Sequence, residues 1–211
     1  MKEEIREIYI SVDIESDGPI PGDYSMVSIG AAVAGYMTTD GEVVKLDGGD
    51  PQNQFYAEIK PISEQWIGEA FAIGLFTGFK GEDLEAKRAY IVDHGLEPEE
   101  AMTAFSDWVA ESISRHKARC AVFAAYPLGF DWMWTYWYLV KFSKNGSPFG
   151  HSRHIDIKSL YAGKAHATVS RSTKRNIPKA FIPATKHTHM ALDDAIEQGE
   201  LLMNLLAWDN K

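Results

Sequence analysis

Two acids lie on one face of an apolar strand near the start of the chain. Residues 9–16 read Tyr-Ile-Ser-Val-Asp-Ile-Glu-Ser. Because side chains alternate along a strand, Asp13 and Glu15 point the same way and Ile14 points the opposite way. Adjacent carboxylates repel each other and resist desolvation, so folding alone does not favour them. Since divalent cations take oxygen ligands, the pair indicates either a metal site or an exposed strand end.

A third acid follows a second apolar run. Residues 119–125 form a largely apolar stretch that is typical of a buried parallel strand. Asp131 comes shortly after it, at the start of an aromatic helix, and ligands of α/β proteins usually bind at the carboxyl ends of strands. A carboxylate in this place can equally cap the helix, so the pattern leaves both roles open.

A pair of histidines precedes the last helix. Residues 187–195 read His-Thr-His-Met-Ala-Leu-Asp-Asp-Ala. Asp193 and Asp194 fall in the first turn of that helix, where the helix dipole favours acids. A neutral imidazole such as that of His189 can act as a general base, although a histidine here can also be purely structural.

The elements that must position these residues follow from the spacing of apolar residues. Strands at 9–16, 25–34 and 55–60 predict an antiparallel meander, with a hairpin turn at 38–41. Helices and strands then alternate, which predicts one α/β domain over residues 1–211 with a mixed sheet. The later elements are short helices within 64–94, a helix from Pro98 through Ile113, a strand at 119–125, a helix at 131–142, a short strand at 155–157 and a helix at 190–208.

Composition bounds the cellular setting. The chain has 211 residues and a single cysteine, Cys120, so no intramolecular disulfide can form and a reducing compartment is favoured. No apolar run is long enough to span a bilayer, and the first residues lack the basic-then-apolar layout of a signal peptide. We therefore expect a cytoplasmic protein without a membrane segment.

Charge is unevenly distributed along the chain. The formal net charge of −9 by itself argues against a polyanionic partner. Residues 141–186, however, hold ten Lys or Arg and one acid, Asp156. This basic segment indicates either an anion-binding surface or a solvated loop region.

Together, the acidic motifs and the element order resemble a known enzyme superfamily. Asp13-x-Glu15, a later Phe-Asp at Asp131, and His189-x4-Asp194 occur in the order found in the DEDDh 3′–5′ exonucleases, which include ribonuclease T and oligoribonuclease. The resemblance covers most of the chain and implies an RNase H-like fold.

The resemblance implies a metal-dependent exonuclease that removes 5′-mononucleotides from the 3′ end of single-stranded RNA or DNA. In this family pattern Asp13, Glu15, Asp131 and Asp194 hold two Mg²⁺ or Mn²⁺ ions, with Asp13 bridging them. Paired ions stabilise both the attacking and the leaving oxygen of a phosphoryl displacement. His189 is the implied base that deprotonates the attacking water. Members of the superfamily are often dimers, so a homodimer is possible, but the sequence leaves the oligomeric state open.

Substrate contacts are expected on both sides of this catalytic set. The strand and loop near Glu15 should meet the terminal nucleotide, and the basic segment should follow the phosphate backbone. The expected contacts are Ile14, Ser16, Met26, Arg171, Lys174 and Arg175.

Three further polar residues near the motifs are given lesser roles. His187 lacks the motif spacing and is expected to be a neighbour of the site. Asp193 is expected to cap the helix or to support a ligand. Asp17 is expected at the surface of the loop that follows the first strand.

Two other functions and one other role stay open on the sequence. The chain could be a catalytically silent binding module on the same fold, or a metal phosphohydrolase of small nucleotides. The aromatic helix at 132–138 could stack on nucleobases, but aromatic residues at helical spacing beside a sheet more often belong to the core. We therefore expect them in the core.

Overall fold

The computed structural model describes residues 4–208, which form a mixed sheet flanked by helices. The strands are β1 (Ile5–Ser16), β2 (Met26–Thr38), β3 (Val43–Lys45), β4 (Gln54–Glu58), β5 (Cys120–Ala125) and β6 (His154–Asp156). The α-helices are α1 (Gly68–Ile73), α2 (Leu84–His94), α3 (Pro98–Arg115), α4 (Leu128–Phe142), α5 (Ile157–Lys164) and α6 (Ala191–Leu206). The predicted domain of 1–211 extends beyond the described residues and stays a prediction.

Strand β1 lies at the centre of the sheet. It pairs antiparallel with β2 on one side and parallel with β5 on the other, and β6 follows β5 in parallel. Both β3 and β4 pair antiparallel with β2, so the predicted meander is present. The turn predicted at 38–41 leads into β3, a short strand that the sequence pattern had not indicated.

The two faces of β1 are covered by different helices. Ile8, Ile10 and Val12 are buried in the same cluster as Phe105 of α3 and Trp134 of α4. Fully burying one such aliphatic side chain contributes roughly 1.5–3 kcal/mol. The opposite face of β1 meets α6, and alternation along the strand places Asp13 and Glu15 on that face.

The aromatic helix α4 belongs mainly to the core, as expected. Trp134 and Tyr138 have no exposed surface. The Tyr138 hydroxyl accepts a hydrogen bond from the backbone N–H of Met26 at 2.7 Å, which ties α4 to the start of β2. Tyr136 and Val140 lie on the exposed side of the same helix.

Helix α6 approaches the sheet closely at its first turn. A Cβ atom placed on Gly30 of β2 would lie 2.2 Å from the backbone carbonyl carbon of Ala191. Only glycine permits this approach, because any side chain here would collide with backbone. The approach carries the start of α6, and with it Asp194, over the centre of the sheet.

Membrane-spanning character is not found in the part of the chain that the structure describes. Between residues 4 and 208, no helix combines the length and the apolar character needed to cross a bilayer.

Candidate active site

Three carboxylates from two elements meet where α6 covers β1. Asp13 and Glu15 come from β1, and Asp194 lies in the first turn of α6 with no exposed surface. Each offers a carboxylate oxygen, and these oxygens all lie within 4.8 Å of one another. Because a hard divalent ion holds oxygen ligands about 2.0–2.6 Å from itself, ligands of one ion lie no more than about 5 Å apart. The spacing suits a shared cation.

Asp131 reaches the same place from α4. It is 4% exposed, and its Oδ1 accepts a hydrogen bond from the backbone N–H of Ile14 at 3.2 Å. Helix α4 begins after Pro127 without a side-chain cap, so the alternative role of Asp131 as an N-cap does not apply. The hydrogen bond joins Asp131 to the strand that carries Asp13 and Glu15.

Burial raises the pKa of Asp13, Glu15 and Asp131 when no cation is bound. Desolvation holds the pKa of Asp13 well above its usual range, and the charges of Asp131 and Asp194 raise it further. Desolvation also raises the pKa of Glu15 to about 9 and that of Asp131 to about 8. Bound cations stabilise the ionised form of such a cluster and invert this effect. The donor set therefore fits a divalent metal centre.

The loop before α6 is folded around Asp194. The backbone N–H groups of Thr188 and His189 donate to the two carboxylate oxygens of Asp194 at 2.7 and 2.9 Å. His189 has a left-handed backbone with φ of 63°. Its carbonyl accepts a hydrogen bond from the N–H of Leu75 at 2.7 Å. Contacts on both sides thus hold His189 in a conformation that is uncommon for a side-chain-bearing residue.

Both histidines of this loop lie beside Asp194. Nδ1 of His187 is 2.9 Å from Asp194 Oδ2, and the two imidazole rings have centroids 4.5 Å apart. Burial lowers the pKa of His187, against the opposing attraction of Asp194, so the neutral ring must carry its proton on Nδ1 to donate here. The ring of His187 contacts Asp194 directly, whereas His189 binds Asp194 through its backbone. His187 is thus a neighbour of the site, as predicted, with a closer contact than expected.

Gln198 is part of the site and was missed from the sequence. Its Nε2 donates to Asp13 Oδ1 at 2.6 Å, and its Oε1 accepts from the backbone N–H of Tyr126 at 2.9 Å. The side chain is nearly fully buried, so it holds one oxygen of Asp13 against the end of β5. A signal was present, since Gln198 follows Asp194 by four residues and therefore lies on the same helix face.

A cleft of about 320 Å³ opens beside Glu15. Its lining includes Ile14 and Ser16 of β1, as predicted for substrate contacts, together with apolar residues of α1 and α4. The structure places these two residues at the cleft and leaves their substrate contacts a prediction. The remaining lining residues are Gly18, Pro19, Ile67, Ala70, Ile73 and Phe130.

Met26 does not line the site as predicted. It has no exposed surface and packs in the core on the face of the sheet that α3 and α4 cover. Met26 begins β2 and pairs with Ser16 at the end of β1, which is close to the acids, but its side chain points into the core. This placement corrects the expectation that Met26 contacts the terminal nucleotide.

The three predicted basic contacts differ in their surroundings. Lys174 forms an ion pair with Glu197 of α6 and lies 5.5 Å from the centre of the Tyr126 ring. Burial has the largest effect on the pKa of Asp13 and Asp131 and raises both. The positive charge of Lys174 acts in the opposite direction on both acids, so Lys174 lies at the margin of the acidic cluster. Arg171 and Arg175 are exposed.

The expectation that Asp17 lies at the loop surface is wrong. Asp17 has no exposed surface, and its Oδ1 accepts from the backbone N–H of Ser25 at 2.6 Å. Its Oδ2 is 3.1 Å from Nη1 of Arg88 in α2. This carboxylate therefore anchors the loop after β1. Asp193 accepts a hydrogen bond from the Thr188 hydroxyl at 3.1 Å, which fits its predicted supporting role.

Comparison with known proteins finds relatives over nearly the whole chain. Residues 9–206 match the Rv2179c-like family, described as a 3′-5′ exoribonuclease domain. The 3′-5′ DNA exonuclease Cap18 of Escherichia coli is 38% identical over 197 residues, which cover 93% of this chain and 90% of that protein.

Solved structures share the fold at low sequence identity. A 3′-exonuclease that recognises the 3′ end of the histone mRNA stem-loop aligns with a TM-score of 0.62 and 12% identity, over 97% of this chain and 64% of that one. E. coli exonuclease I in complex with a dT13 oligonucleotide aligns with a TM-score of 0.53 and 13% identity, over 94% of this chain. The chain spans 64% and 40% of these two proteins, respectively.

These likenesses confirm the RNase H-like fold and the resemblance to the DEDDh exonucleases that the acidic motifs predicted. The family match spans residues 9–206, which include all five motif residues. The chain belongs to the Rv2179c-like 3′-5′ exoribonuclease family and is a 3′–5′ exonuclease.

Proposed function

We propose that the protein removes 5′-mononucleotides from the 3′ end of single-stranded nucleic acid with two divalent ions, Mg²⁺ or Mn²⁺. The observation that carries this proposal is the convergence of Asp13, Glu15 and Asp194 within 4.8 Å. Asp131 of α4 adds a fourth carboxylate, which is hydrogen-bonded to the strand that carries Asp13 and Glu15. A binding module would have no need for such a cluster, because four clustered acids, two of them buried, oppose folding without a cation.

The four acids would hold the ions. The ions would polarise the scissile phosphate and stabilise the negative charge that develops on its oxygens. Gln198 holds Oδ1 of Asp13, which supports a fixed orientation of this carboxylate between its partners.

His189 is the proposed general base. Its backbone N–H is committed to Asp194, and its carbonyl is committed to Leu75, so the main chain of His189 is held while its exposed ring faces solvent. An imidazole nitrogen of His189 would accept the proton of the attacking water. His187 is the weaker candidate, because its Nδ1 already contacts Asp194 at 2.9 Å.

The cleft beside Glu15 is the proposed site of the terminal nucleotide. Its apolar side chains Ile67, Ile73 and Phe130 are partly exposed, and each offers a surface against which a nucleobase can pack. Stacking of a base on an aromatic ring tolerates any base, which suits an enzyme that removes successive nucleotides. Ser16 and the main chain of Ile14 would contact the sugar side of the same nucleotide, because the Ile14 side chain packs in the core.

The basic segment is the proposed path of the phosphate backbone. Lys174 lies at the margin of the acidic cluster, and the exposed Arg171 and Arg175 lie on either side of it in sequence. A local excess of cations on an otherwise acidic protein can attract a polyanion to one side of the molecule.

The test is incubation of 3′-labelled and 5′-labelled DNA and RNA oligonucleotides of matched sequence with Mg²⁺ or Mn²⁺. The DNA exonuclease relative makes single-stranded DNA the first substrate to try, and the family description makes RNA the second. Stepwise shortening from the 3′ end, with release of 5′-mononucleotides, is expected. Asp13→Ala and His189→Ala should abolish it, whereas His187→Asn should retain more activity than His189→Asn.

Two outcomes would redirect the proposal. Tight oligonucleotide binding without any shortening would favour the silent binding module. Hydrolysis of mononucleotides alone would favour a small-nucleotide phosphohydrolase. Light scattering at several concentrations would test for a homodimer, and fractionation of cells would test the cytoplasmic location.

A further inference from the structure

The chain segment that follows α1 touches two residues of the proposed machinery. The backbone of Gly74 lies against Glu15, since a Cβ atom on Gly74 would fall 2.8 Å from Glu15 Cβ. The next residue, Leu75, donates its N–H to the carbonyl of His189 at 2.7 Å. The position of residues 74–75 therefore affects both an acidic side chain and the main chain of the base.

A buried amine from α2 holds this segment. Lys87 is 4% exposed, and its Nζ donates to the carbonyl of Phe71 at 2.6 Å and to the carbonyl of Gly74. The last carbonyls of a helix lack partners within the helix, and α1 has only six residues. An ammonium at a helix C-terminus satisfies such carbonyls and interacts favourably with the helix dipole.

The surroundings of the amine are specific. Nζ of Lys87 lies 4.8 Å from the centre of the Phe71 ring and 5.1 Å from that of Phe76. Its charge is also close enough to attract the carboxylate of Glu15. Since burying an ammonium is costly, an apolar side chain of similar length would satisfy packing alone. The buried amine is therefore best explained by its hydrogen bonds to the carbonyls of Phe71 and Gly74.

We propose that Lys87 is a positioning residue of the exonuclease site, acting through the backbone of Gly74 and Leu75 on Glu15 and His189. The inference rests on the proposed function, because Glu15 and His189 have their roles only there. Arg88, the next residue of α2, contacts Ser63 and Asp17 near the other end of α1. Loss of Lys87 should therefore disturb the end of α1 that faces the acids.

The test compares Lys87→Met with Lys80→Met. Lys80 is an exposed lysine of a separate pocket, about 500 Å³ in volume, that Lys87 also lines. Its replacement removes an equal charge and leaves the hydrogen bonds of Lys87 to Phe71 and Gly74 in place. Removing a residue that orients metal ligands lowers metal affinity or activity by about 10- to 100-fold. Lys87→Met should weaken Mn²⁺ binding to the substrate-free protein by about tenfold, measured by calorimetry, and lower kcat by at least about tenfold. KM should stay within about threefold, and Lys80→Met should match the wild type.

Two further variants distinguish a positioning role of Lys87 from simple misfolding. Lys87→Arg keeps the charge and can donate to both carbonyls, so it should recover most of the Mn²⁺ affinity and kcat. Gly74→Ala leaves Lys87 in place and displaces the segment against Glu15, so it should weaken Mn²⁺ binding in the same direction. Equal Mn²⁺ affinity and kcat in wild type and Lys87→Met, with only a lower Tm, would overturn the inference. A wild-type protein that shortens no oligonucleotide would instead overturn the proposed function, since the Mn²⁺ comparison does not depend on turnover.

Discussion

Two regions around the acidic cluster are stabilised by different interactions. The floor, formed by β1, β2, β5 and α6, carries Asp13, Glu15 and Asp194 and is held by apolar burial and a close backbone approach at Gly30. The wall, residues 63–94 with α1 and α2, carries none of the proposed metal ligands. Two adjacent cations of α2, the buried Lys87 and the half-buried Arg88, hold the wall in place.

The wall is anchored at both ends of α1. Nη2 of Arg88 donates to the carbonyl of Ser63 at 2.7 Å, and its Nη1 contacts Asp17, whose carbonyl accepts the N–H of Ile67 at 2.8 Å. Lys87 holds the other end of the helix. The floor thus depends on volume, whereas the wall depends on these two cations in addition to its apolar cluster around Phe71 and Ile91. Substitutions that conserve size but remove charge should therefore damage the wall far more than the floor.

The largest expected effect is on the wall. Arg88→Met leaves Asp17 buried without its cation, and breaking a buried ion pair in this way costs about 3–5 kcal/mol. Urea unfolding of the substrate-free protein measures the loss in free energy of unfolding. Asp17→Asn combined with Arg88→Met should lose less than the sum of the single losses, because the uncompensated charge is gone. Additive losses would mean that the pair does not hold the wall.

The second effect concerns volume in the floor. Gly30→Ala places a Cβ 2.2 Å from the backbone of Ala191, so α6 must shift. Overpacking against backbone costs roughly 3 kcal/mol and should also weaken Mn²⁺ binding, because Asp194 moves with the helix. Gly129→Ala in α4 is the control, since no atom lies within 4 Å of the added Cβ, and its stability should equal or exceed that of the wild type. Similar unfolding free energies for the two variants would contradict the close approach.

The third effect is a pH dependence that arises in the acidic cluster, which comprises the floor acids and Asp131 of α4. Burial raises the pKa of Glu15 to about 9 and that of Asp131 to about 8, so the folded state without metal retains protons that the unfolded chain releases. This contribution is fully present below the unfolded pKa values near about 4 and is lost as pH rises toward about 9. With EDTA, Tm should fall over this range, and Mn²⁺ should raise Tm more at about pH 8 than at about pH 5.5. A Mn²⁺ shift that is equal at both pH values would show that these acids do not bind the ion.

The smallest effect lies in the cleft between floor and wall. Phe130→Ala removes an aromatic surface from the proposed nucleotide site, and losing one base-stacking contact costs about 1–3 kcal/mol. KM for a single-stranded oligonucleotide should rise by about tenfold, with kcat changed little. Val140→Ala, at an exposed position of the same helix, should leave both constants unchanged. A fall in kcat without a change in KM would show that Phe130 does not contribute to binding of the substrate in its ground state.

Much of the floor could be predicted because its signals are local. Alternation along residues 9–16 indicated that Asp13 and Glu15 share a face, and the apolar run before Asp131 indicated a buried strand. The aromatic helix was rightly expected in the core, as Trp134 and Tyr138 show. These predictions held because the hydrophobic periods of strands and helices report directly on which face is buried.

The wrong and missing predictions concern residues whose environment is formed by segments that are distant in the sequence. Asp17 was expected at the surface because a Gly- and Pro-rich loop follows it, yet Arg88 of α2 buries it. Met26 was expected near substrate, yet it points to the α3 and α4 side of the sheet. Lys87 carried no signal at all, since a lysine in a polar helix is ordinarily solvated.

The sequence by itself determined the chemical types in the site, namely the acids, the histidine pair and the order of elements that carries them. Only the tertiary structure decided how the site is held. Gln198 reaches Asp13 across 185 residues, and Lys87 reaches Gly74 from a separate helix. Local pattern specifies the face on which a side chain lies, whereas the partner on that face depends on how distant elements pack, and a single sequence does not carry that information.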